Sequence, residues 1–372
     1  MDQLVCSACG TTFPLDDPRW KCDCGGVLDV EFTPVFDMAK IHNRKPTMWR
    51  YREAIPIRDD AHVVSFDEGM TPLLRVCIDG RPVWIKQDHL FPTGSYKDRG
   101  ASVLVSKAKA LGISHIVEDS SGNAGCAIAA YCARAGIAAK IYVPQDTAAG
   151  KLAQIRNYGA MLCRVPGTRQ DTADAAWQAA QGSYYASHSW NPFFFQGTKT
   201  FAYEVCEQLG WRAPDTVVLP AGNGTLVLGA SIGFRELLAA GIVDRMPRIV
   251  AVQAMACAPL YQAFTRKLEQ VPHVQAQPTL AEGIAIAQPI RGLQILQAIA
   301  ESGGECIAVD EGEIQGALQQ VCRQGFYIEP TAAATIAGLR QYVTRAHPGE
   351  LIVSAFTGHG LKATEKMLAL SS

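Results

Sequence analysis

Four short runs in this 372-residue chain put reactive or hydrogen-bonding side chains directly after apolar, strand-like stretches. The first, Phe91-Pro92-Thr93-Gly94-Ser95-Tyr96-Lys97-Asp98-Arg99-Gly100, follows the stretch Pro82 to Gln87 and sets Lys97 between a Gly-Ser turn and an Asp-Arg pair. That places Lys97 near the C-terminal edge of a sheet, where open α/β sheets bind their ligands. A lysine amine in a partly dry site of this kind can lose its charge and form a Schiff base. A solvated lysine in an ordinary strand-to-helix turn fits the same letters. The second run, Ser120-Ser121-Gly122-Asn123-Ala124-Gly125, follows a strand ending near Glu118 and opens an Ala-rich helix. Its hydroxyls, amide and helix-start N–H groups make an anion cradle, though a plain helix N-cap uses the same residues. The third, Gly222-Asn223-Gly224-Thr225-Leu226, follows Val217 to Leu219. A glycine-rich turn into a helix converges N–H groups and the helix dipole on one point, a ready phosphate site, but five residues alone are weak support. The fourth, Thr357-Gly358-His359-Gly360-Leu361-Lys362, follows Leu351 to Phe356; His359 also reads as a simple loop histidine.

A different chemistry belongs to the N-terminus. Cys6-Ser7-Ala8-Cys9-Gly10 and Cys22-Asp23-Cys24-Gly25-Gly26 form two hooks whose four thiolates, Cys6, Cys9, Cys22 and Cys24, suit a tetrahedral Zn²⁺ site, with glycine after each hook for the tight backbone. A segment this short could not hold a fold by its own apolar core, so a metal would supply its stability. The second hook is C-x-C, tighter than the usual C-x-x-C; a metal-free relic or a disulfide pair are the other readings. The remaining eight of the 12 cysteines are scattered in mostly apolar segments and read as small buried hydrophobes.

These residues need a scaffold, and the pattern supplies one. Apolar strand-sized runs at 115–118, 139–143 and 161–165 read as buried strands. They alternate with helix-period segments at 123–134, 148–158 and 171–180. Runs at 215–219, 248–253 and 351–356 continue the alternation, which implies parallel sheets with crossover helices. Residues 41–57 read as a linker with short helical pieces, and Glu68-Gly69-Met70-Thr71-Pro72-Leu73 as a turn before the first strand pair. Hydrophobic residues make up 48% of the chain and charged ones 19%, with a formal net charge of −1. With no block of like charges, no apolar run near bilayer length and no signal-peptide pattern at the start, the expectations are a cytoplasmic protein with neither nucleic-acid nor membrane partners.

Taken in order, the ribbon, the E-G-M-T-P-L turn and the four runs resemble the fold-type II pyridoxal-phosphate enzymes, the threonine synthase branch in particular, over nearly the whole chain. The resemblance implies an α/β architecture of two lobes, each with a twisted, mostly parallel sheet flanked by helices. It implies a zinc-ribbon-like segment at 1–35, a large cofactor-binding lobe at 36–105 and 190–372, and a small inserted lobe at 106–189. It further implies pyridoxal 5′-phosphate on Lys97 as the catalytic lysine, with Asn123 on the cofactor's 3′-oxygen. Gly222, Asn223, Gly224, Thr225 and Leu226 would be its phosphate cup, and Thr357 would face its ring nitrogen. Ser120, Ser121, Gly122, Asn123 and Ala124 would hold the carboxylate of a small amino-acid substrate, and the assembly would be a homodimer.

Two departures bear on the substrate. Threonine synthases carry a segment N-S-x-N-P-x-R-x-x-G-Q-K-T whose arginine holds the substrate phosphate. The corresponding stretch, Ser187 to Thr200, keeps Ser189 but has Phe194 in place of that arginine. A phenyl ring cannot act as a bidentate phosphate clamp, and a phosphate against three phenylalanines would be costly to desolvate, with Ser187, His188, Ser189 and Lys199 as possible substitutes. Leu280-Ala281-Glu282-Gly283-Ile284-Ala285-Ile286 is also closer to the A-D-G-I-A-V segment of serine and threonine dehydratases. The functional expectations are therefore a threonine synthase-like lyase acting at the β or γ carbon, a dehydratase or β-replacement enzyme on a small hydroxy- or acyloxy-amino acid, or a degenerate ligand-binding paralogue.

Overall fold

The N-terminal segment folds as a ribbon of three short strands, the inward Leu4, Cys6 and Leu28 being buried. The structure, a computed structural model, describes residues 2–147, 149–167 and 169–371. Strands β1 (Gln3–Cys6), β2 (Thr12–Pro14) and β3 (Leu28–Glu31) pair antiparallel in the order β2-β1-β3. Short helices at Met38–Asn43 and Met48–Ala54 follow, the expected helical pieces of 41–57.

β4 (Leu73–Ile78) and β5 (Arg81–Lys86) form an antiparallel hairpin whose two turn residues, Asp79 and Gly80, both have positive φ (46° and 80°). Two left-handed residues give the turn whose twist matches that of the flanking strands. β6 (His115–Glu118), β7 (Ala138–Pro144), β8 (Met161–Val165) and β9 (Tyr184–Tyr185) then build an all-parallel four-stranded sheet, order β8-β7-β6-β9. β10 (Thr216–Pro220), β11 (Arg248–Ala254), β12 (Glu305–Val309) and β13 (Ile352–Ala355) join the hairpin in a six-stranded sheet, order β12-β11-β10-β13-β5-β4, parallel except at β4. The α/β class with mostly parallel sheets is thus as expected. All six runs read as strands coincide with strands to within about a residue. β8 is the exception in burial: it lies at the sheet edge and Met161 is exposed, so the apolar run there is not a buried strand. The expected helix from Ala148 is a helix over Ala149–Asn157; Ala148 lies outside the described residues.

The chain makes two compact units, residues 1–69 with 97–198, and residues 70–96 with 199–372. The segment 106–189, expected as an inserted lobe, lies wholly within the first unit. That unit also takes in the ribbon and the flanks 97–105 and 190–198, so the observed boundaries differ from the expected ones. The first unit's core packs the helices Lys97–Ala110 and Asn123–Ala135 against β6 and β7, through Leu104, Ile128, Ile141 and Val143. The second unit's core packs the helix Pro330–Val343 on the six-stranded sheet; Gly338 lets it sit against Val252, whose methyl groups a Cβ would meet at 2.7 Å or closer. Of the scattered cysteines, Cys126, Cys132, Cys206, Cys257 and Cys306 are buried as read. Cys77 is exposed and Cys163 and Cys322 are half-buried, because each sits in an outer strand or helix.

One ion pair of the second unit was not visible in any motif. Lys86, at the end of β5, reaches Glu204 on the helix Thr200–Gln208 at 2.7 Å, and both side chains are fully buried. The Lys86 Nζ also donates to the Thr71 carbonyl (2.6 Å) and to Gln208 Oε1 (2.7 Å). Removing one member of such a pair strands the other charge away from water. Glu204→Leu is expected to cost about 3–5 kcal/mol in urea unfolding, with much of it recovered in the Lys86→Met/Glu204→Leu double variant. A single-variant loss under about 1 kcal/mol would contradict the assignment.

Candidate active site

The chain crosses from the second unit to the first at the Tyr96–Lys97 bond, so the lysine run begins in one and continues in the other. Upstream of that bond the run is laced to the loop after β13. Tyr96 N–H donates to the Thr357 carbonyl (3.1 Å), His359 N–H to the Gly94 carbonyl (2.9 Å) and Lys362 Nζ to the Thr93 carbonyl (2.9 Å). Gly94 has φ +82°, a conformation that favours glycine there. Gly358 is needed for close approach, because a Cβ there would collide with the Glu329 carboxylate.

In that same unit the third run opens the helix Thr225–Ala239. The N-cap residue is Gly224 (φ +68°), and no side chain caps the helix. A Cβ on Gly224 would run into Ile295, and one on Gly222 would lie 2.9 Å from Ile284 Cα. The loop therefore brings bare backbone to a helix start, with the Tyr96 hydroxyl and Thr225 Oγ1 at 2.8 Å from each other. Two hydroxyls of this unit, Ser95 Oγ and Thr357 Oγ1, are buried with no hydrogen-bond partner. Leaving a hydroxyl so costs about 1–3 kcal/mol unless something else satisfies it. Sequence reasoning gave Ser95 no role, and it did not single out His89. The His89 ring stacks on His359 (centroids 5.6 Å, 28°), its Nδ1 is also buried without a partner, and burial, helped by the nearby His359, lowers its pKa to about 4.

In the first unit Lys97 is the first residue of its helix and is half-buried. Phe194, on the helix Pro192–Thr198, is fully buried, with its ring centroid 5.6 Å from Lys97 Nζ. The same ring fills the space over Gly100, where any Cβ would overlap it, and it sits edge-on to His188 at 6.0 Å. His188 Nδ1 donates to the buried Glu118 at 3.0 Å. Ser187 and Ser189 are buried beside it in sequence. Lys199, considered above for a phosphate, is fully buried in the second unit and bonded to Glu236 at 2.8 Å, so that role does not hold.

The second run behaves as a turn into the helix Asn123–Ala135. Gly122 is the N-cap with no side-chain cap, and Ser120 Oγ accepts from the Gly122 N–H at 3.3 Å. The run thus contains the helix N-cap, at Gly122, while the Ser120 hydroxyl serves the turn before it. Ser120 and Ala124 are buried, Ser121 and Asn123 half-buried and Gly122 exposed.

The four clustered cysteines also belong to the first unit. Their Sγ atoms lie within 4.8 Å of one another, with Cys6–Cys24 at 3.5 Å and Cys9–Cys22 at 3.6 Å. These distances are far from the S–S bond of about 2.05 Å and close to the edge, about 3.8 Å, of a tetrahedron around Zn²⁺. Gly26 is required, because a Cβ would lie 2.8 Å from Cys6 Sγ. A hydrogen bond from the Thr11 hydroxyl holds the Cys9 thiol down at about 6. Although the Gly26 N–H favours its thiolate, the neighbouring thiols push Cys24 up to about 12. Four thiols this close fit a shared cation, and the donor set can hold a metal.

Comparison with known proteins agrees with this geometry. The sequence model of the family described as pyridoxal-phosphate dependent enzyme matches residues 64–358. Threonine synthase of Methanocaldococcus jannaschii is 35% identical over 98% of this chain and 94% of its own length. Threonine synthase of Methanosarcina acetivorans is 34% identical over 99% and 94%. Among solved structures, a fungal L-serine ammonia-lyase from Rhizomucor miehei superposes with a TM-score of 0.70 at 19% identity, covering 81% of this chain and 97% of that one. Maize serine racemase gives 0.68 at 19% identity, covering 81% and 93%.

The close approach at the second run is directly testable. A Cβ on Gly125 would overlap the Ser120 carbonyl oxygen. Gly125→Ala is therefore expected to lower stability by about 1–3 kcal/mol in denaturant unfolding. Gly182→Ala, where nothing lies within 4 Å, should stay within about 0.5 kcal/mol of the parent. Equal effects would contradict the described turn. Built on these loops and matched along most of its length, the chain belongs to the fold-type II pyridoxal-phosphate-dependent enzymes and is a lyase related to the threonine synthases.

Proposed function

We propose that this lyase catalyses elimination or replacement at the β or γ carbon of a small amino acid whose leaving group is uncharged, a hydroxyl or acyloxy group. The observation that carries this reading is Phe194, buried with its ring 5.6 Å from Lys97 Nζ where the relatives' motif has a phosphate-binding arginine. With Lys199 tied to Glu236 and His188 to Glu118, no cation of that segment is left to balance a dianion beside an aromatic wall.

The residues fit pyridoxal 5′-phosphate. The orphaned Thr357 hydroxyl supplies a neutral partner for a ring nitrogen, and the cradle at Gly222 and Gly224, which a Cβ would fill, accepts a phosphate through backbone N–H groups. Gly222, Asn223, Gly224, Thr225 and Leu226 would hold that phosphate, with Asn123 on the ring's oxygen and Lys97 as the covalent anchor. When bound, the cofactor supplies an electron sink for the carbanion formed at the substrate's α carbon.

This chain's own groups do the rest. Ser120, Ser121, Gly122, Asn123 and Ala124 orient the substrate carboxylate at the start of the helix Asn123–Ala135, where backbone N–H groups favour an anion. Lys97 Nζ would accept the substrate's α-proton and hold it for return or for the leaving group. Phe194 closes off water and contacts the substrate's side chain with an apolar surface. Ser189 is placed on the same segment as Phe194. The four ribbon cysteines would hold a structural Zn²⁺.

The relatives named threonine synthase, 34–35% identical over nearly the whole chain, favour a second reading in which the leaving group is phosphate. Two experiments decide. Lys97→Ala should fold yet lack the visible absorption of the anchored cofactor and fall by about 10³-fold or more in activity. Retention of wild-type absorption and turnover would overturn the anchor assignment. Incubation with O-phosphohomoserine, O-acetylhomoserine, O-acetylserine, serine and threonine, following phosphate, acetate and 2-oxo acid, should give turnover of an uncharged substrate and no phosphate. Phe194→Arg should raise phosphate-ester turnover by about tenfold or more. Rapid phosphate release by the parent would establish the second reading.

A further inference from the structure

The N-terminal ribbon, to which the proposed reaction gives no step, makes contacts that reach the segment carrying Phe194. Phe193, next to the pocket residue Phe194, is 1% exposed and belongs to the ribbon's own core. It packs there with Leu4, Leu15, Leu28 and two of the clustered cysteines, Cys6 and Cys22. Successive residues of the helix Pro192–Thr198 thus point to opposite duties: Phe193 into the metal-type ribbon, Phe194 over the Lys97 helix. A second tie reaches the other functional helix. Lys107, two turns after Gly100 on the helix Lys97–Ala110, bonds ribbon residue Asp16 at 2.6 Å and lies 4.9 Å from the Phe193 ring centroid. The two helices meet so closely that a Cβ on Gly197 would overlap the Arg99 carbonyl. A third contact lies at the segment's other end, where ribbon residue Trp20 packs edge-on against Trp190 (5.7 Å) and Tyr185 (4.9 Å).

We infer that Phe193 is a positioning residue through which the four-cysteine ribbon sets the substrate pocket beside Lys97. The ribbon grips both helices, one at Phe193 and one at Lys107. Its shape depends on closing the four cysteines, since so short a segment has few apolar side chains of its own. Loss of the metal or of the Phe193 ring frees the Pro192–Thr198 helix to shift. A displacement of about 1 Å at a reacting centre is enough for large kinetic effects. The inference rests on the proposal that Lys97 carries the cofactor and the ribbon a Zn²⁺.

The test compares holoenzymes of the parent, Phe193→Ala and Phe193→Leu. Metal content, cofactor content and the visible circular dichroism of the bound cofactor are measured, with KM and kcat for whichever amino acid of the panel reacts. Phe193→Ala should keep cofactor and metal at parental stoichiometry, lose roughly half the visible dichroism, and raise KM about tenfold with kcat within about threefold. Phe193→Leu should restore most of both. Stripping the parent with a chelator should reproduce the dichroism loss and added Zn²⁺ should reverse it, whereas chelation should change Phe193→Ala little further. If Phe193→Ala does not fold, Asp16→Asn decides alone: Asp16 is 56% exposed and an asparagine amide oxygen still accepts from the buried Lys107 ammonium, and the variant's dichroism should fall in the same direction. Parental dichroism in the variant tested, or an undiminished chelator effect in Phe193→Ala, overturns the inference. The dichroism requires no substrate, so a panel in which nothing reacts contradicts the proposed function alone.

Discussion

The constraint on which the first unit depends is the close meeting of two helices, Lys97–Ala110 and Pro192–Thr198. Gly100 and Gly197 leave no side chain at the crossing, so backbone approaches backbone and the Phe194 ring settles in the gap. Everything chemically relevant there follows from this approach. It sets an aromatic face 5.6 Å from Lys97 Nζ. It also makes the two helices one body that the ribbon can hold from outside, through Phe193 and Lys107.

The second unit answers with a different device. There the polar atoms are arranged first and left waiting: Thr357 and Ser95 are buried with unpartnered hydroxyls, and the helix Thr225–Ala239 starts from a glycine with no capping side chain. Buried polar groups are usually hydrogen-bonded, so these two hydroxyls are where a ligand of the proposed chemistry would complete the bonding. The buried Lys86–Glu204 pair stands apart from this; its charges are matched within the protein, and it joins β5 to the helix that follows the pocket segment.

Much of this was readable from the residues in order. Strand-sized apolar runs fell on β6, β7, β10, β11 and β13, since burial in a parallel sheet needs continuous apolar stretches. The glycine turns after them were legible because few other residues permit that backbone. What stayed hidden depends on partners far away in sequence. The two-residue β9 has too little pattern to register, and β8 looked buried until its place at the sheet edge exposed Met161. Lys86 reads as a surface lysine unless Glu204 is known to face it. Phe193, Phe194 and Phe195 look alike as letters, and only the packing separates the ribbon's residue from the pocket's. The boundaries of the two units were hidden for the same reason, since helix contacts rather than chain order draw 97–105 and 190–198 into the first.

The proposed chemistry requires Lys97 to be the residue that carries the cofactor beside Phe194. Borohydride reduction of the cofactor-loaded protein converts a lysine–cofactor C=N link into a stable amine, so the modified residue can be found by peptide mass spectrometry. A pyridoxyl-phosphate mass on the peptide containing Lys97, and on no other lysine, is the predicted result. The same mass on Lys86, Lys199 or any other lysine, or no adduct on a fully loaded protein, would contradict it.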